Sequence, residues 1–198
     1  MKDRIAEAVV QEILQRGLRF SIRDVAGALG VSTKTIYQHF ESKEQIVAYL
    51  VEQAVNEMRE CERDIMADPE LSTKQKLFEV LVTIPKGYAF GDLRSLLELK
   101  QMFPRQWAVM DEYLQMGWDN FRLLVERGRE EEVLRPFDPE VFIGMYVGAL
   151  NHFMDARSAV GRRKPLDRVL REMVGLLLQG VYTDRDGGPA ASEEGETK

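Results

Sequence analysis

Cysteine occurs once, at Cys61, and histidine only twice, at His39 and His152. A single thiol excludes an internal disulfide and leaves a cysteine-based metal centre without its ligands. Long apolar runs are also missing. The most apolar stretch, "VFIGMYVGAL" from Val141 to Leu150, is half the ~20 residues that a bilayer span needs. The first ten residues, "MKDRIAEAVV", turn polar again at once, unlike a secretory signal. There is no Gly-x-Ser-x-Gly, no phosphate-cradling glycine loop and no metal-spaced cluster. These absences point away from an enzyme, a cofactor and a membrane, and towards the cytoplasm.

What remains is an ordinary globular composition. The chain has 198 residues, 44% hydrophobic and 30% charged. That suits one domain, or a small module joined to a larger one. The net charge of -6 argues against a nucleic-acid partner when taken globally, but it is unevenly spread. Residues 1–47 hold seven Lys/Arg against six Asp/Glu, so this segment is slightly basic and the acidity lies downstream.

The basic segment is dense in helix punctuation. In residues 4–16, Ile5, Ala8, Val9 and Ile13 form one apolar stripe at helical spacing, and Gly17 is placed to end the helix with a left-handed cap. Ser21 and Asp24 form a capping box for a second helix, with Phe20 and Val25 at the staple positions around it. Gly30 stops that helix. Ser32 caps a third, again with a staple, Val31 and Ile36. Ser42 and Gln45 read as a further capping box. Lys43, at the first position of this fourth helix, opposes the helix dipole and so reads as awaiting an external anion. Two short helices joined through Gly30 and packed on a first make a helix-turn-helix. The same pattern also fits a three-helix stub of a larger bundle whose polar face is merely solvated.

"RIAEAVVQEILQRG" followed by "SIRDVAGALGVSTKTIYQHFESKEQIVAYLVE" resembles the DNA-binding domain of the TetR family of bacterial transcriptional regulators. The most specific part is Gly-Val-Ser, then Ile-Tyr-x-His-Phe, then Ser-Lys-Glu, within a match over roughly residues 4–52. The resemblance implies that residues 32–40 are a recognition helix in the major groove, capped by Ser32. Thr33 and Lys34 would meet base edges, and Arg23 is a further base contact. Tyr37, His39 and Lys43 would meet phosphates, and Thr35 either. Three departures stand out. The loop after Gly17 is about one residue short, Phe20 and Ile22 occupy positions where hydroxyl residues are common, and the arm before the first helix is nearly absent. Minor-groove contacts are therefore not expected.

The rest of the chain reads as helical throughout. Helices are expected over about 42–66, 73–86, 93–102, 104–131 with a bend near Gly117, 140–158 and 165–182. The expected architecture is all-α: a helix-turn-helix domain over 1–47, a helical ligand-binding and dimerisation domain over 48–183, and a disordered acidic tail over 184–198. The resemblance implies a homodimer on a near-palindromic double-stranded DNA operator and a small-molecule effector, most commonly one that releases a repressor. The aromatic and Met residues near chain breaks are candidate pocket lining for a small hydrophobic effector: Tyr88, Met102, Phe103, Trp107, Met110, Met116, Trp118 and Phe121, with Met145, His152 and Phe153 further on. Each serves equally as ordinary core. Gly144 and Gly148, with Val169, Met173 and Leu177, are candidates for a helical dimer interface or for the monomer's own core. A helical interaction module that keeps the shape without binding DNA is the remaining alternative.

Overall fold

The computed structural model describes residues 1–84, 90, 92–155 and 165–181. The fold is all-α. Ten helices occur among the described residues: α1 (Lys2–Arg16), α2 (Ile22–Leu29), α3 (Thr33–Tyr37), α4 (Lys43–Ala67), α5 (Thr73–Val82), α6 (Leu93–Met102), α7 (Pro104–Met116), α8 (Asp119–Glu130), α9 (Pro139–Phe153) and α10 (Leu166–Gln179). The expected tail lies outside the described residues.

The small N-terminal bundle closes as its caps demand. Ser21 and Asp24 form the full capping box on α2. Gly30 adopts the left-handed conformation, φ 65° and ψ 31°, and the next amide, that of Val31, donates back to Ala26 O at 3.0 Å. Ile5, Val9, Val25, Ile36, Ile46 and Leu50 are fully buried between these helices, each contributing about 1.5–3 kcal/mol from burial. Two local expectations change. Gly17 has positive φ (73°) but ψ near −169°, a conformation essentially reserved for glycine. It therefore turns the chain into a short 3₁₀ turn, Gly17–Arg19, instead of a left-handed cap. At α4 the Ser42 hydroxyl accepts from the Gln45 amide at 3.1 Å, while the Gln45 side chain accepts from Glu41 N at 2.6 Å. The reciprocal half of the box is thus displaced by one residue.

The larger part is built around α4, which runs without a break across residue 47. Val47 and Val51, on either side of the expected domain boundary, are both fully buried, so a shared helix takes the place of a linker. α7 lies along α4, and α5 packs between α8 and α10. Lys76 of α5 is buried because its amine donates to Met66 O at 2.7 Å, satisfying an end carbonyl of α4 with a cation. Helix α5 ends at Val82, short of the expected residue 86, in line with the bias of Ile84, just before Pro85, against helical geometry. The expected long helix over 104–131 is two helices. A Cβ at Gly117 would lie 2.8 Å from Tyr113 O, and the chain breaks there.

Candidate nucleic-acid interface and ligand cavity

Helix α3 is only five residues long, and its geometry comes from its cap. The Ser32 hydroxyl accepts from the Thr35 amide at 3.1 Å and lies 3.0 Å from the Thr35 hydroxyl. Thr35 is thereby engaged in holding the helix start. Backbone hydrogen bonds from Gln38, His39 and Phe40 back to Lys34 and Ile36 continue the turn to residue 40. Ile36 and Phe40 face inward. Opposite them, Lys34 and Gln38 are exposed, Tyr37 is 50% exposed, and Thr33 and His39 are half-buried. Arg23, on α2, is exposed too. Donors able to reach a duplex therefore stand on the surface of this module, and its apolar side is used for packing.

Lys43 departs from the expectation. Its amine donates to Leu18 O at 2.8 Å and to Phe20 O at 2.7 Å, and stands 4.2 Å from the centre of the Phe20 ring. Burial lowers its pKa below the ordinary lysine value. Two carbonyl dipoles of the turn before α2 thus face the Lys43 amine. Phe20 explains its own departure in the same way: it is buried as the platform for that lysine, so it offers nothing to a phosphate.

A joint forms around this turn. Glu98 of α6 accepts from Leu18 N at 2.6 Å and pairs with Arg94 at 3.1 Å. A Cβ on Gly17 would overlap the Glu98 carboxylate. Gln106 of α7 donates to Glu44 O at 3.4 Å. Phe103 is buried at the same joint, 5.7 Å from the Lys43 amine.

Behind the joint lies a cavity of about 80 Å³. Of the candidate lining residues, Met110, Trp118 and Phe121 face it. Trp118 stands edge-on to Phe121 and Tyr146 at 5.6 and 5.1 Å. The other expected lining residues sit elsewhere. Phe103 is in the joint. Trp107 is buried outside the cavity beneath Lys100, whose amine is 5.3 Å from its ring. Met102 and Met116 are exposed. Tyr88 lies outside the described residues. On α9, Phe142, Ile143, Tyr146 and Leu150 form the buried face, which turns Met145 and His152 outward into solvent. Sequence reasoning missed the cavity's polar members. Tyr146 donates to Leu81 O at 2.8 Å. Glu62 accepts from the Tyr113 hydroxyl and from Asn120 Nδ2, the latter at 3.0 Å. The signal for Glu62 was available: Val51, Val55 and Met58 form a buried stripe on α4 that reaches Glu62 one turn later.

The dimer candidates divide. Val169 and Met173 are buried in the monomer on the inner side of α10, and Leu177 is half-buried. Gly144 and Gly148 lie on the exposed side of α9, where an added Cβ would meet nothing within 4 Å.

The family model for bacterial regulatory proteins of the tetR family matches residues 5–50. Over nearly its whole length the chain is similar to YvaF, an uncharacterized HTH-type transcriptional regulator of Bacillus subtilis (strain 168). The two are 30% identical over 186 residues, covering 94% of this chain and 98% of that relative. The chain belongs to the TetR family of bacterial transcriptional regulators. Solved TetR-family structures share the fold. PfmR of Thermus thermophilus matches with a TM-score of 0.63 and 24% identity, covering 89% of this chain and 98% of that one. FadR of Bacillus subtilis, solved in complex with stearoyl-CoA, matches with a TM-score of 0.57 and 19% identity, covering 92% and 100%. As a TetR-family regulator, the protein carries its DNA-binding helix-turn-helix in α2 and α3. No helix among the described residues is long and apolar enough to cross a membrane.

Proposed function

We propose that this TetR-family regulator is ligand-responsive: a homodimer that holds a near-palindromic operator and releases it when a small, largely apolar molecule enters the cavity behind the joint. The observation that carries this reading is that the same helices serve both sites. Leu96 of α6, Met110 of α7 and Glu62 of α4 line the cavity. Glu98 of α6 and Gln106 of α7 hold the turn and the α4 start of the DNA-binding module. At about 80 Å³ the cavity is smaller than ordinary ligand pockets of about 300–1,000 Å³. An effector must therefore part these helices to enter, and in doing so it moves the joint. Only a ligand that favours one arrangement over the other shifts the population.

Within the module, the roles supported by position are Thr33 and Lys34 at base edges, Arg23 beside them, and Tyr37 and His39 at phosphates. Repression is the family's commoner habit. The test is a binding titration of the full chain on the DNA upstream of its own gene, with and without apolar ligands. Specific binding that weakens with ligand supports the reading. A chain that never prefers any DNA sequence would instead be a helical interaction module.

A further inference from the structure

Glu62 is only 8% exposed and lines the cavity among apolar groups such as Met58, Leu81 and Leu150. Its two hydrogen-bond donors, the Tyr113 hydroxyl and the Asn120 amide, are both neutral. Burial above all, then the hydrogen bond to Glu62 and its charge, holds the Tyr113 phenol far above its ordinary pKa. Tyr113 therefore stays a donor and supplies no charge. Buried carboxylates are ordinarily paired with a cation, because a desolvated charge is costly without one. Here no Lys, Arg or His among the described residues comes within ion-pairing distance of Glu62. Arg59, one turn earlier on the same helix, is exposed; it shares the outer clefts beside the cavity with Glu62 and its charge acts on Tyr113, but it forms no ion pair with Glu62. The other polar groups of the wall are engaged: Trp118 Nε1 donates to Leu114 O at 2.9 Å and Tyr146 to Leu81 O at 2.8 Å. The remaining surface is apolar and mostly aliphatic, with Trp118, Phe121 and Tyr146 packed edge to face within it, and aromatic faces attract cations.

We propose that the effector is an organic cation, an alkyl- or arylammonium of modest size, with its ammonium donating to Glu62 and its apolar part among the aromatic residues. This rests on the reading of the cavity as the effector site. An anionic ligand would instead set a second negative charge beside Glu62 in an apolar enclosure.

Three probes of matched length separate the cases: octylammonium, 1-octanol and octanoate, each titrated by calorimetry into the full chain and into Glu62→Gln. Fluorescence of the Trp107→Phe protein, which retains only Trp118, reports binding at the cavity wall. The expected result is octylammonium tighter than octanol by roughly 10-fold, the lower end of what a hydrogen bond to a charged group contributes. Octanoate should be weakest. Glu62→Gln should erase the ammonium preference and leave octanol affinity unchanged, while Glu60→Gln, at an exposed acid of the same helix, should leave the preference intact. If the wild type binds octanol as tightly as octylammonium, or octanoate more tightly than either, the cation assignment is overturned and the cavity reading stands. That comparison needs no variant. If no probe moves the Trp118 signal, both readings are overturned.

Discussion

Lys43 shows how a residue's type and position can suggest one partner while the fold supplies another. A lysine at the first turn of a helix faces a repulsive dipole, and the turn at Leu18 and Phe20 answers it with two carbonyl oxygens. Lys43→Ala should therefore lower folding stability by about 1–3 kcal/mol, the cost of losing hydrogen bonds to a charged group, as read by chemical denaturation. It should leave the slope of log binding constant against log salt unchanged, because that slope counts phosphates neutralised by cations. A flatter slope would return Lys43 to the DNA surface. Lys34→Ala should behave differently, keeping stability and relaxing the preference at one or two base pairs in each half-site. Asp24 adds a pH dependence. Its carboxyl is held below the ordinary 3.8 by the Ser21 hydroxyl first and by Arg16 next. A depressed carboxylate lends stability above its unfolded value and loses it as pH falls through the folded one. Thermal unfolding followed from pH 7 down to 3 should show Asp24→Asn less stable than wild type at pH 7, with the gap closing below pH 3.8.

At the scale of elements, α9 is the most instructive. It is apolar nearly all round, so periodicity could not say which side the monomer would take. The aromatic side chains decide it. Phe142 stacks on Phe121 at 4.9 Å and Tyr146 reaches Leu81, which leaves Val141, Gly144, Met145, Gly148 and His152 on the far side. Leu176 of α10 is likewise 73% exposed. By contrast, the helix-turn-helix was legible in detail, because caps and staples are local in sequence. The cavity was legible only in Met110, Trp118 and Phe121. Its carboxylate stands in "MRECERD", where the surrounding charges read as a solvated face and only the continued stripe from Met58 marks Glu62 as buried. On α10 the apolar stripe was real, but α5 took it for the monomer core. Gly148 now gives a clean test of the dimer. With nothing within 4 Å of an added Cβ, Gly148→Leu should fold with unchanged helicity, its melting temperature falling only by what the partner subunit contributed. A second copy packed closely on this face would be pushed away. The variant should sediment as a monomer and lose specific operator affinity together with the pairing of its two recognition helices. A variant that stays dimeric moves the interface off α9.

At the scale of the whole molecule, the question is how far events in the cavity are felt at α3. Helix α6 touches both ends of that path: Leu96 in the cavity wall and, half a turn later, Glu98 on the Leu18 amide. Gly17 permits the clasp, since any Cβ there would displace the Glu98 carboxylate. A coupling of about 1–3 kcal/mol between two sites corresponds to a 5- to 150-fold change in affinity, and it must be the same in both directions. In the wild type, an effector that weakens operator binding by some factor should therefore be bound more weakly, by that factor, when the operator is present. Glu98→Ala should leave the effector's affinity for the free protein unchanged and bring both factors close to one. Both follow from titrating effector against free and operator-bound protein, and operator against free and effector-bound protein. Should Glu98→Ala keep the full wild-type factor, the signal passes through α4 and the Gln106 contact, and the clasp on Leu18 serves only to hold the turn.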